Sequence, residues 1–217
     1  MSHITLVRHG QANTGAKDEI SYDKLSALGH KQSGWLGEHL RTTAAFHPRV
    51  FSGTLTRHIE TAHSMGYGDN LVQDARLNEL EYFTLANLLQ QQQGIDIPTE
   101  REGFIDHLPT VFTAWQNGEI ENPPESFQAF ETRASEVLHE IATGPGPALV
   151  VTSGGLISMA MRRFLGLDVT SMSRVTLAIM NTSMHRLFPI GGQLSPVLFN
   201  AVPHLETPDR HYAQTHV

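Results

Sequence analysis

A chain of 217 residues, 40% of them hydrophobic, is long enough to bury one substantial core. Its net charge of −7 argues against broad nucleic-acid binding, which needs a basic face, but leaves room for a locally positive pocket. The absence of cysteine excludes disulfides, thiolate catalysis and zinc–thiolate sites.

The 13 histidines show no HxH or HExxH spacing, so no metal site is expected and most are read as surface residues. The N-terminus lacks the basic start and apolar stretch of a leader, and no run of 18 apolar residues occurs. The expectation is a cytoplasmic protein with no membrane span.

In chain order, Ile4–Val7 is a short apolar strand ending at Arg8-His9-Gly10, followed by a polar loop to residue 24. Ser26 is placed to cap a helix running to about Ala45, with Trp35, Leu36 and Leu40 on its buried face. Val50-Phe51 reads as a strand ending at Ser52-Gly53, and Thr54 opens a helical stretch to about Met65. A strand is expected within "LVQDARLNELEYF", then an exposed acidic segment, and "LANLLQQQQG" reads as a helix stopped by Gly94. Residues 82–125 read as an insertion or lid over the core, with a helical patch at Thr110–Trp115. Phe127, Phe130, Ala134, Val137, Leu138 and Ile141 recur at helical spacing up to Gly144-Pro145. Ala148–Val151 is a strand, and Leu156–Leu165 the helix after it. Val175–Ile179, Leu187–Ile190 and Val197–Phe199 read as further strands.

Strands thus alternate with helices along one domain covering residues 1–217. The pattern predicts a three-layer α/β/α fold with a mostly parallel central sheet. Ligands of such sheets bind beyond the carboxyl ends of the strands. Three strand ends carry notable residues: Arg8-His9-Gly10, Ser52-Gly53 and Thr152-Ser153-Gly154-Gly155. Arg8 offers a planar fork of donors suited to phosphate. His9 beside it has the chemistry of a base, an acid or a nucleophile, and Gly10 lets a ligand approach the backbone. Arg57, one turn into a helix, adds a second guanidinium near a helix N-terminus.

These residues resemble the histidine phosphatase superfamily, also called the phosphoglycerate mutase-like family. "LVRHGQ" resembles its strand–RHG signature, "LSALG" its first-helix opening, and "SGTLTRHIETA" its S-x-L-x-R-A-x-x-T-A segment. "RLNELEY", "LVVTSGGLI" and "NTS" resemble further family segments in the same order. The resemblance implies that His9 is the phosphate-accepting nucleophile and Glu79 the proton donor. It implies a phosphate site of Arg8, Arg57, Ser153, Gly154 and Asn13, with no metal and no cofactor. The implied substrate is a phosphorylated small molecule or phosphoprotein.

The sequence departs from the family pattern in four places. Gln11 follows the RHG where Glu is common. Gly15 stands where many members have Asn, which makes Asn13 the substitute. His58 stands where alanine is usual, and Ser153 where the family has its second histidine. A serine hydroxyl donates one uncharged hydrogen bond, and losing a preorganised donor typically costs about 2.7–4 kcal/mol of transition-state stabilisation. Ser153 reads equally as a helix cap or a phosphate contact, and His185 and His204 are candidates to replace the missing imidazole.

The reading that follows is a phosphatase acting through a phosphohistidine at His9. A mutase-type phosphotransferase is less favoured, and a pseudo-enzyme that binds phosphorylated ligands without turnover is the third reading. Phe83, Phe104 and Trp115 are read as lining an apolar entrance or as core.

Overall fold

The computed structural model describes residues 1–216 and, at position 101, the backbone; residue 217 of the expected domain lies outside the described residues. In chain order the elements are β1 (Ile4–Arg8), α1 (Glu19–Tyr22), α2 (Ala27–Thr42), β2 (Arg49–Ser52), α3 (Thr56–Ser64) and β3 (Leu71–Gln73). There follow α4 (Tyr82–Gln93), α5 (Arg101–Gln116), α6 (Phe127–Thr143), β4 (Ala148–Thr152), α7 (Gly154–Leu165), α8 (Val169–Ala178), β5 (Met184–Ile190) and β6 (Gln193–Ala201). The sheet order is β3-β2-β4-β1-β5-β6, with the first four strands mutually parallel, β5 antiparallel to β1 and β6 antiparallel to β5. This is the mostly parallel α/β sheet expected.

Successive side chains of a strand point to opposite faces. In β1, Ile4 and Leu6 enter one apolar layer and Val7 the other; in β4, Ala148 and Val150 oppose Leu149 and Val151. Both faces therefore need cover. Leu36 and Leu40 of α2 with Ala62 of α3 cover one face. Apolar residues of α4 to α8, including Leu85, Phe112, Phe130, Leu156 and Met172, form the larger core on the other. No helix among the described residues is long and apolar enough to cross a membrane.

Local chemistry sets most boundaries. Ser26 and Ser126 cap α2 and α6, accepting from the N–H groups of Gly29 and Ala129 at 3.1 Å each. Gly94 and Gly166 end α4 and α7 in left-handed conformation, where a Cβ is disfavoured.

Two expectations are corrected. Val175–Ile179 is not a strand; residues up to Ala178 close α8, whose N-terminus Asp168 caps by accepting from Ser171 N at 2.7 Å. The buried residues of that helix recur at Val169, Met172, Ser173 and Thr176, a helical spacing masked by the branched apolar run. The helical patch at Thr110–Trp115 is the end of a longer helix, α5, which runs through Pro109. Five of the 13 histidines, His9, His58, His107, His185 and His204, are buried, and the other eight reach the surface.

Register levels the site. Arg8 pairs with Thr152, and Ser52 with Val151, so the ends of β1, β2 and β4 lie side by side. Gly10 follows β1 directly, and its role differs from the expected one. It packs against α2 rather than a ligand: a Cβ there would lie 2.4 Å from the Gly29 carbonyl oxygen, and one at Gly29 would lie 2.1 Å from that of Gln11. The loop after β1 and α2 thus meet backbone to backbone. Gly34, in the same helix, has only Ser64 O at 3.8 Å. Gly29→Ala is expected to destabilise by at least about 1–3 kcal/mol through overpacking, while Gly34→Ala stabilises by up to about 1 kcal/mol through helix propensity. Urea unfolding of the two variants checks the contrast.

Candidate active site

A cavity of about 730 Å³ opens over the levelled strand ends, lined there by Arg8, His9, Arg57, Glu79, Gly154 and Gly155. The chain backbone around His9 is pinned on several sides. His9 N–H donates to Thr152 O at 2.9 Å, and Gly10 N–H donates to Thr61 Oγ1 at 3.0 Å. Thr182 N–H donates to Arg8 O at 3.0 Å, and Asn181 Nδ2 donates to His9 O at 3.2 Å. Thr182 makes its contact at φ 57°, a left-handed conformation that is costly for a β-branched residue. The "NTS" segment thus clamps the strand end that presents His9.

The His9 side chain is 2% exposed, and its Nδ1 lies 2.7 Å from the Gly10 carbonyl. A carbonyl accepts only, so Nδ1 carries the proton and Nε2 keeps its lone pair. Burial, then the Arg57 and Arg8 guanidiniums and His58, hold the imidazolium well below the usual histidine range; the Gly10 bond pulls weakly the other way. His9 is therefore a neutral imidazole at neutral pH.

Two guanidiniums flank it. Arg8 is 5% exposed and donates through Nη1 to Ile179 O; Arg57 is 2% exposed and pairs with Asp23 Oδ1 at 3.0 Å. The Nε groups of both have no hydrogen-bond partner. Both side chains line the one cavity, and two guanidiniums give that wall a positive character suited to an anion. Gly154, the first residue of α7, lines the same cavity with an N–H that the helix itself leaves free.

Glu79 is held across from them. Its Oε2 accepts from Gly155 N at 2.9 Å and its Oε1 from Leu80 N at 3.0 Å. A Cβ at Gly155 would lie 2.3 Å from Glu79 Oε1, so only glycine admits the carboxylate here.

The structure brings Arg8, His9, Arg57, Glu79 and Gly154 to the cavity, and does not bring Asn13 or the Ser153 side chain to its lining. Asn13 spends its amide on the loop itself, with Nδ2 donating to Ser21 O at 2.8 Å and Oδ1 accepting from Gly15 N at 3.3 Å. Ser153 occupies the N-cap position of α7 but makes no side-chain cap bond; its Oγ lies 2.6 Å from His58 Nε2. His185 and His204 are each tied to one hydroxyl, Ser183 Oγ at 2.9 Å and Thr182 Oγ1 at 2.8 Å, and neither lines the cavity. Phe83 and Phe104 line the cavity, whereas Trp115 is core, its Nε1 donating to Glu125 O at 2.8 Å. Among the described residues, no three His, Asp or Glu side chains are grouped to hold a metal ion.

A model of the histidine phosphatase superfamily (branch 1) matches residues 4–202. The chain belongs to the histidine phosphatase superfamily. A probable phosphoglycerate mutase, GpmB, of Klebsiella pneumoniae is 28% identical over 96% of this chain and 97% of its own. In fold, this superfamily member resembles phosphoserine phosphatase of Entamoeba histolytica, with a TM-score of 0.70 at 17% identity, covering 94% of this chain and 100% of that one. It also resembles phosphoglycerate mutase of Bacillus anthracis, with a TM-score of 0.67 at 19% identity and 94% of each chain covered. Phosphatases and mutases are thus both among the relatives of this superfamily chain.

Sequence reasoning missed three residues of the site: Glu19, Tyr22 and Asp23. Asp23 accepts from the N–H groups of Thr56 at 2.9 Å and Arg57 at 3.2 Å, capping α3 from a distant loop. Tyr22 lies under the Arg57 guanidinium, 5.0 Å from ring centroid to Cζ. Glu19 lines the cavity, and its Oε1 accepts from Phe83 N at 2.9 Å. Burial pushes the Glu19 carboxyl up to about 7, helped by Glu79 and Glu81 and opposed by the Phe83 N–H and Arg57. A carboxyl with a raised folded-state pKa binds more protons folded than unfolded, so stability falls as pH rises from about 4.5 to about 7. Glu19→Gln keeps the acceptor for Phe83 and removes this titration. Urea unfolding at pH 5 and pH 8 is expected to show a smaller loss of stability in the variant than in the wild type.

Proposed function

We propose that this superfamily member is a metal-independent phosphatase that hydrolyses a phosphomonoester through a phosphohistidine at His9. One observation carries the reading: a buried neutral imidazole with a free Nε2 stands between two buried guanidiniums whose Nε donors are unsatisfied.

In the first step His9 Nε2 attacks phosphorus and the bond from phosphorus to the ester oxygen breaks. Glu79, protonated, gives its proton to that oxygen as it leaves as an alcohol. In the second step the Glu79 carboxylate takes a proton from water, whose oxygen attacks phosphorus, and the P–N bond breaks. Phosphate and free His9 result, and Glu79 is protonated again. Loose phosphoryl transfer asks mainly for alignment and a positive cage around the equatorial oxygens. Arg8, Arg57 and the Gly154 N–H supply that cage, and the Gly10 carbonyl keeps the His9 tautomer in place. The reading places the protein in the cytoplasm, with a phosphorylated small molecule or phosphoprotein as substrate and neither nucleic acid nor membrane as partner.

The name of the Klebsiella relative favours a mutase-type transfer instead, and the same assay separates the two. The phosphatase releases inorganic phosphate from a simple phosphomonoester without any phosphorylated acceptor. His9→Ala is expected to abolish release and Glu79→Gln to lower kcat about 10²–10⁴-fold. Brief incubation with substrate is expected to leave acid-labile phosphate on His9. Because burial and the two guanidiniums hold His9 neutral below the usual histidine range, the acid limb of kcat/KM is expected below that range rather than within it. Phosphate release by wild type no greater than by His9→Ala would defeat the reading and leave a phospho-ligand-binding pseudo-enzyme.

A further inference from the structure

We propose, resting on the phosphatase reading, that the substrate is a phosphomonoester with an apolar, ring-bearing body that lies against α4 and α5. Away from the anion site the cavity is lined by Tyr82, Phe83, Ile97, Phe104, Leu108 and Phe112. Four rings run in edge-to-face sequence from the anion site into this region. Tyr22 to Phe83 spans 6.0 Å between centroids, Phe83 to Tyr82 5.9 Å, and Tyr82 to Phe104 5.1 Å. The first ring lies under Arg57, so the aromatic wall begins at the phosphate cage. The Tyr82 hydroxyl is satisfied by His107 Nδ1 at 2.7 Å, which leaves its ring as the recognition surface.

The charges tell against a carboxylated substrate. Among the described residues the cations lining the cavity are Arg8, Arg57 and Lys17. The two arginines belong to the phosphate, and Lys17 is exposed on the loop. Glu19 and Glu79 line the same cavity, and none of the twelve residues of α4 is charged. A phosphoglycerate or phosphoserine carboxylate thus finds two acids and no buried guanidinium of its own. A volume of about 730 Å³ is in the range of cavities that enclose a drug-sized ligand, well beyond a three-carbon acid.

The test compares kcat/KM for 2-phenylethyl phosphate, O-phosphoserine and 3-phosphoglycerate on the purified chain. All three leave as primary alcohols, so their ratios read binding more than leaving-group strength. The expected preference for 2-phenylethyl phosphate is about tenfold or more, and Phe104→Ser lowers that ratio. Equal or reversed preference overturns the inference while leaving the phosphatase intact. No hydrolysis of any ester defeats the phosphatase reading. Calorimetric binding to wild type then decides the inference by itself: 2-phenylethyl phosphate tighter than O-phosphoserine supports it, and the reverse order overturns it.

Independently, the structure assigns His58 as a positioning residue that fixes Ser153, and through it the Gly154 N–H that opens α7, at the cavity wall. His58 is fully buried on α3, 5.6 Å from His9 between ring centroids, with Nε2 at 2.6 Å from Ser153 Oγ. Space for the ring is made by Gly53, where a Cβ would lie 2.3 Å from His58 Nδ1. Nδ1 has no partner, and an orphaned buried N–H is rarer than an orphaned acceptor. The proton therefore sits on Nε2 and is donated to Ser153 Oγ, which ties the start of α7 to α3. Ser153 lies between Thr152, which accepts from His9 N–H, and Gly154 on the cavity wall. The two departures of the sequence, an added imidazole at 58 and a missing one at 153, are thus in contact.

Three variants test this: His58→Ala, Ser153→His, and the two combined. Each single change is expected to lower kcat about tenfold with KM within about twofold, the first by freeing Ser153 and the second by crowding His58. The combined variant restores one imidazole to the shared space and recovers most of kcat. His58→Gln, which keeps a donor, serves if His58→Ala does not fold, and is expected to retain more kcat than Ser153→Ala. A combined variant no better than the poorer single, or a His58→Ala enzyme as fast as wild type, overturns the assignment. Orthovanadate affinity, ranked across the same variants by calorimetry, reads the pair without turnover: the same order supports it, and no change overturns it.

Discussion

Two guanidiniums buried beside a neutral imidazole are the constraint around which this molecule is arranged. Arg8 and Arg57 stand on different elements, one closing β1 and one in the first turn of α3. Burying like charges together is unfavourable unless counter-charge or hydrogen bonds offset it. Asp23 offsets one, the Ile179 carbonyl satisfies part of the other, and both Nε donors remain unused. The same field, with burial, keeps His9 uncharged, with a lone pair on Nε2. The property that makes the cage costly to fold is the one that suits it to a dianion.

Much of this was readable in the chain because it is local. Strand-to-glycine boundaries at residues 8–10, 52–53 and 152–155 predicted which ends converge, and a parallel sheet in register levels them. Ser26, Gly94 and Gly144 marked an end of α2, α4 and α6. What escaped was long-range. Val175–Ile179 has strand-like composition, and only its packing against the core and the remote reach of Asp168 make that segment helical up to Ala178. The fate of Ser153 was invisible because its partner lies 95 residues earlier. Asp23 and Glu19 sit in a polar loop with no periodicity, and their roles come from what folds against them. Asn13 shows the converse: a plausible ligand by position in sequence, it is consumed by its own loop.

The region between residues 82 and 125 joins two jobs. Leu85, Leu89, Leu108 and Phe112 belong to the main core. Leu108 and Phe112 also line the cavity, on the same helix α5. A ligand resting there would touch residues that also secure the fold. Its wall is consequently firm, in contrast to a loop that orders only on binding.

The short helix α1 ties two longer ones together at their starts. Glu19 at its beginning holds the second residue of α4, and Asp23 just beyond its end holds the first two residues of α3 together with the Arg57 side chain. It is a bracket four residues long between a wall of the cavity and an arm of the charge cage. Swinging that bracket outward would unfasten α4 and strip Arg57 of its counter-ion in one motion. One short element thus joins a wall of the cavity to the counter-ion of Arg57.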